Sequence, residues 1–272
     1  MKKNLMMRIA AVLMVCVLAT TCGISGTFAK YVTSAETSDT ARVAKWGVML
    51  TVSGDGIFSE EYEAGNKTVI SSNHDKLVAP GTKNETGITF TLKGQPEVAF
   101  QVKVGLGTTK DVFLEAGTYT DYTQLVKQAD GSYAYSKTFT TDKVYNPVVF
   151  TLTHKYGAEA YSIKGAVTTE TGATWAPAEA EGNMTVETVT GTLEQINKVL
   201  ANLTANMTKV NPNYVLDDTF TLTWAWAFGD PANNAADTLL GNLAADTATV
   251  TGDNVYNLNL KYNFSITIEQ VD

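Results

Sequence analysis

Between Phe220 and Phe228 the chain alternates without a break. Phe220, Leu222, Trp224, Trp226 and Phe228 are separated by Thr221, Thr223, Ala225 and Ala227. Successive side chains of an extended strand point to opposite faces, so every large apolar group here shares one face. A helix would scatter the same residues around its circumference. The segment is therefore a strand with one buried and one wet face, as antiparallel sheets allow. The same period runs through Tyr256, Leu258, Leu260, Tyr262, Phe264, Ile266 and Ile268, which alternate with polar residues. Shorter stripes are Trp46, Val48, Leu50 and Val52; Phe90 and Leu92; Val98, Phe100, Val102 and Val104; and Val148, Phe150 and Leu152. Many strands at short intervals imply a mainly β chain, an antiparallel jelly-roll or β-sandwich.

Turn residues punctuate the stripes. Asp130-Gly131 lies between Tyr119–Gln128 and Ser132–Phe139, the spacing of a hairpin. Pro80-Gly81 and Gly94-Gln95-Pro96 separate neighbouring strands. Two short helical insertions interrupt the β pattern. Thr192-Leu193-Glu194-Gln195 has the form of a capping box, and Leu193, Ile196, Leu200, Leu203 and Met207 follow at helical spacing before Pro212. The second opens at Asp230-Pro231 and carries Ala236, Leu239, Leu240 and Leu243. Both apolar stripes are expected to pack against a sheet edge or end.

The N-terminal region reads as an export signal. Lys2, Lys3 and Arg8 precede an apolar run from Ile9 to Leu18, and small residues end in Gly26-Thr27-Phe28-Ala29. The run is short for a bilayer span, which needs roughly 20 apolar residues. Cleavage is expected between Ala29 and Lys30, with a cut after Ala35 as the alternative. The residues before Cys22 do not fit a lipoprotein signal. The organisation expected is a signal peptide over 1–29, a flexible polar segment over 30–41 and one β-sandwich domain over 42–272. Removing residues 1–29 takes away both cysteines, Cys16 and Cys22, leaving the remainder to its core alone. It also removes three basic residues and no acidic one, which moves the net charge from −8 to −11. That sign argues against nucleic acid and against anionic membrane surfaces as partners, because lysine and arginine supply the attraction to both. No sorting motif or anchor is read near Asp272.

Residues with chemical potential are few. His74 lies in a loop-like stretch and His154 at the end of a strand stripe, and both are read as ordinary surface histidines. Neither belongs to a helical zinc motif. Gly-x-Ser-x-Gly and phosphate-loop patterns are absent, and Gly105-Leu106-Gly107 lacks the rest of a dinucleotide fingerprint. The carboxylate pairs Glu60-Glu61 and Asp217-Asp218 are read as surface. Asp55 and Asp253 are plain turn residues with weak calcium binding as the alternative. Tyr119, Tyr122, Tyr133 and Tyr135 surround the hairpin as cross-strand packing or as an exposed aromatic surface. The reading assigns no catalytic, cofactor-binding or metal residue and expects no enzyme.

Gly26-Thr27-Phe28-Ala29, a short polar stretch and Arg42-Val43-Ala44-Lys45-Trp46 together resemble the start of TasA/camelysin-type proteins. These are exported matrix proteins of Firmicutes, which are Gram-positive, processed by a SipW-type signal peptidase. Leu77-Val78-Ala79-Pro80-Gly81-Thr82, followed by a strand and by Gly94-Gln95-Pro96-Glu97-Val98, is similar to that family's Pro-Gly turn and following strand. The resemblance is firmest over residues 20–105. It implies a jelly-roll that assembles into extracellular biofilm-matrix fibres. In such fibres the mature N-terminal segment lies as an extra strand in the neighbouring subunit. Here that segment is Lys30 to about Ala41, led by Lys30, Tyr31, Val32 and Thr33. The metalloprotease activity ascribed to camelysin is not carried over, because no zinc motif is present to receive it. The expected role is a secreted, cell-surface or matrix fibre subunit that self-associates by strand addition. The alternative is a monomeric secreted binding module for a glycan or protein partner, acting through Tyr133 and Tyr135.

Overall fold

A computed structural model describes residues 47–54, 56–64, 67–157, 162–177, 183–206, 215–229, 233–245, 248–250 and 255–271. The leader, the cleavage pair Ala29 and Lys30, the segment 30–41, Trp46, Asp55, Met207, Asp230-Pro231 and Asp253 lie outside these residues.

The chain is mainly β, its sheets are antiparallel, and two helices interrupt them, as the alternation implies. The largest sheet contains β1 (Val48–Ser53), β4 (Lys83–Gly94), β12 (Leu216–Trp226), β9 (Val148–Tyr156), β11 (Thr185–Gly191) and β10 (Thr174–Pro177), side by side in that order. Strand β5 (Phe100–Gly105) pairs with β15 (Ser265–Gln270). Strands β7 (Gly117–Lys127) and β8 (Tyr133–Thr141) form the expected hairpin, flanked by β13 (Ala248–Val250). Two short pairs complete the set, β2 (Glu61–Ala64) with β3 (Lys67–Ile70) and β6 (Phe113–Leu114) with β14 (Tyr256–Asn257).

Period two is realised most fully on β12, where Leu216, Asp218, Phe220, Leu222, Trp224 and Trp226 are all buried. On β9 the buried positions are Val148, Phe150, Leu152, His154 and Tyr156. These faces join Phe90, Leu92, Phe100, Val102 and Val104 in one contiguous core. The opposite face of the large sheet is polar. Thr89, Thr221, Thr153 and Thr188 form a row across β4, β12, β9 and β11, and Ser53 of β1 continues it. Threonine suits such a face because its branched carbon packs on the pleat while its hydroxyl meets water.

The first helix, α1 (Leu193–Asn206), is set by the capping box that its sequence announces. The Thr192 N–H donates to Gln195 Oε1 at 2.9 Å and the Gln195 N–H to Thr192 Oγ1 at 3.3 Å. Its buried stripe of Leu193, Ile196, Leu200 and Leu203 packs into the core beside β5, at a sheet edge as expected. The second helix, α2 (Asn234–Ala244), buries Ala236, Leu239, Leu240 and Leu243. The Pro80-Gly81 turn also forms. The Thr82 N–H donates to the Ala79 carbonyl at 3.0 Å, and Gly81 has φ of 87°, a conformation that glycine adopts without strain.

Three expectations are corrected. The stripe from Tyr256 to Ile268 is not one strand, because residues 258–264 cross between β14 and β15. Asn257 Nδ2 donates to the Asp111 and Asn259 carbonyls instead of leaving the backbone to a ladder. Phe228 lies past the end of β12 and is 62 % exposed, so it is not core. Leu50 and Val52 stand opposite the buried Leu92 and Phe90, on the core side of the sheet, yet remain 39 % and 52 % exposed.

Candidate functional site

That last departure marks the most unusual surface among the described residues. Among the described strands, β1 ends the large sheet and has only β4 beside it. The phase of its backbone follows from one bond. The Gln95 N–H donates to the Gly47 carbonyl at 3.2 Å, so Gly47, Met49, Thr51 and Ser53 turn their polar groups toward β4. Val48, Leu50 and Val52 turn theirs outward. Bare edges of this kind are templates for another strand, and proteins usually blunt them with lysine, proline or a covering element. The sequence Val-Met-Leu-Thr-Val-Ser contains neither charge nor proline. Met49, on the outer face, is also exposed.

The edge of β5 is treated differently. Helix α1 runs along it and its side chains take up the strand's backbone groups. The Val104 N–H donates to Thr204 Oγ1 at 3.2 Å and the Leu106 N–H to Asn197 Oδ1 at 3.0 Å. Asn197 Nδ2 returns a bond to the Gly107 carbonyl, and Gln101 Nε2 reaches the Thr204 carbonyl. The helix itself is anchored by Asp111, whose two carboxylate oxygens accept from the Leu193 and Glu194 N–H groups at 2.7 and 3.1 Å. Burial pushes the Asp111 carboxyl above its usual range, and those two donors offset only part of the rise.

The histidine and carboxylate expectations divide. His74 is exposed beside Glu60, at 3.2 Å, as expected. His154 is not a surface residue: it is fully buried, stacked on Phe220 with ring centroids 4.1 Å apart and on Tyr156 at 4.6 Å. Its Nε2 lies 3.4 Å from Oδ2 of the buried Asp218, and its Nδ1 has no hydrogen-bond partner. Of the pair read as surface, Asp217 does face out, 3.3 Å from Lys93, whereas Asp218 faces in. The reason is phase. His154 continues the Val148–Leu152 stripe and Asp218 the Leu216–Trp226 stripe, so strand geometry takes both inside. The buried Glu187 lies opposite His154 on β11 and accepts from Ser162 Oγ at 2.6 Å and the Ile163 N–H at 2.7 Å. The serine hydroxyl therefore serves the carboxylate, not the imidazole. Among the described residues, no group of three or more His, Cys, Asp or Glu side chains is placed to hold a metal ion.

Of the hairpin tyrosines, Tyr119 is fully buried and donates to the Glu115 carbonyl, while Tyr133 is 62 % exposed. The tip is tightened by Asp130 Oδ1, which accepts from Ser132 Oγ and the Ser132 N–H and so holds its carboxyl below the usual range. A groove of about 550 Å³ at the start of α1 is lined by Asp111, Glu115, Glu170 and Glu194, with Lys198 paired to Glu194.

Comparison with protein-family models, with curated proteins and with solved structures finds no match. No helix among the described residues is long and apolar enough to cross a membrane.

Proposed function

We propose that this chain is an extracellular structural subunit of a cell-surface or biofilm-matrix fibre, joined to its neighbours by strand addition. The observation that carries the reading is β1, an edge with exposed core-side apolar residues, no charge or proline of its own, and no covering element among the described residues. Backbone hydrogen bonds to an added strand give affinity, and burial of Leu50 and Val52 adds an apolar contribution. The resemblance to TasA/camelysin-type proteins supports the same reading, with its jelly-roll path, its export by a SipW-type peptidase and its donor segment Lys30–Ala41. A catalytic role is not part of the proposal, because the one buried histidine is shut from solvent and not bonded to a nucleophile. Electron microscopy of the purified protein across salt and pH tests it. Fibres are expected. Strictly monomeric protein under every condition, with no fibres on producing cells, would contradict it.

A further inference from the structure

We propose that β1 pairs with β1 of a second copy across a two-fold axis through Leu50, joining two six-stranded sheets into one. The inference rests on assembly by strand addition and names the partner of this edge.

The outward-turned groups decide the register. Val48, Leu50 and Val52 together present three N–H and three C=O groups to the free side. Antiparallel pairing centred on Leu50 sets Leu50 against its own counterpart and Val48 against Val52 in both directions. Each outward-turned residue then faces another, and all six groups find partners. Directly opposed residues share a face, so Leu50 and Val52 stay on the core side while Met49 meets Thr51 on the other. A slip of one residue would put outward-turned groups against inward-turned ones and apolar side chains on the wet face.

Chemistry favours a second copy over an unlike partner. An isologous contact needs a patch that complements itself. Here apolar side chains meet apolar side chains, and the strand has no charge to repel its image. The chain as a whole carries a net charge of −8, so two copies repel at most surfaces, whereas this edge is neutral. A two-fold contact alone closes a dimer. Growth into a fibre then needs a second contact, which falls to the donor segment.

Cysteine cross-linking of the full chain, with Cys16→Ser and Cys22→Ser to remove background thiols, tests the register. Hydrogen-bonded antiparallel partners have Cα atoms about 5.5 Å apart, within disulfide reach. Leu50→Cys alone is expected to give a disulfide-linked dimer under mild oxidation. Val48→Cys and Val52→Cys alone should not, because each sits roughly 13 Å along the strand from its own counterpart. An equal mixture of those two chains should cross-link. Leu50→Lys should weaken the dimer by about tenfold or more in sedimentation while leaving the melting temperature unchanged in dilute solution, where both chains are monomeric, since the residue is already part-exposed. Association that survives Leu50→Lys, without cross-linking of Leu50→Cys, overturns the two-fold pairing and leaves the fibre reading standing. Cross-linking of Leu50→Cys to Tyr31→Cys in place of itself puts the leading segment on β1 and also overturns it. A chain that is monomeric at every concentration overturns both.

Discussion

The edges of β1 and β5 are built from similar strands and finished in opposite ways. Each has six residues and sets Val, Leu or Phe at every second position, although β1 also carries Met49 on its other face. Along β5, α1 supplies Thr204 and Asn197 to the strand's backbone, and Phe100, Val102 and Val104 are buried. Along β1, nothing described lies beside the outward groups, and its core-side residues stay in water. Among the described residues the chain thus seals one edge with side-chain hydrogen bonds and leaves another unprotected. An unprotected edge in a protein able to seal its edges points to use, and that contrast underlies the assembly account.

The largest expected effect falls on the core that carries both edges. Trp224→Ala removes a buried indole that donates to the Ile57 carbonyl at 2.6 Å, and should cost about 3–5 kcal/mol in urea unfolding. Retention of native stability would show that the sheet is not held from inside.

A smaller loss should follow from unsealing β5. Asn197→Ala strands the buried Leu106 N–H and should cost about 1–3 kcal/mol, with faster amide exchange confined to β5 and α1. Unchanged exchange at Leu106 would break the claim that the helix seals this edge.

Asp111→Ala acts one step back, on the helix that does the sealing. Loss of the two N-terminal bonds should lower stability by about 0.5–2 kcal/mol, read by thermal melting. The smallest stability effect belongs to the open edge. Leu50→Lys should change the unfolding free energy of the dilute monomer by no more than about 0.5 kcal/mol. A loss comparable with Asn197→Ala would mean that β1 is part of the sealed structure, and the contrast would fail.

Much of this fold was legible in the residues, for physical reasons that also explain the failures. The β12 and β9 stripes, the Asp130-Gly131 hairpin and the Thr192 capping box were readable because period two, turn chemistry and caps act locally. Burial at an edge is not local. Alternation tells which face Leu50 and Val52 occupy, but a missing neighbour leaves that face wet. Polarity alone puts His154 and Asp218 on the surface, but both continue the apolar stripes beside them, and phase takes them inside. The break after Asn257 depends on Asp111, distant in sequence, and no pattern within Tyr256–Ile268 announces it. As for the candidate site, the absence of charge in Val48–Ser53 was readable, but its position at the end of a sheet was not.

The central claim is that subunits join by strand addition, with Lys30–Ala41 as the donor. Its most direct test is electron microscopy and sedimentation of the chain lacking those residues, beside the intact chain. The apolar stripes begin only around Val43 and Trp46, so the shortened protein should fold and melt normally. The account predicts that it stops at small, β1-joined species while the intact chain forms fibres. Ordinary fibres from the shortened chain would contradict it, and association would have to use another surface.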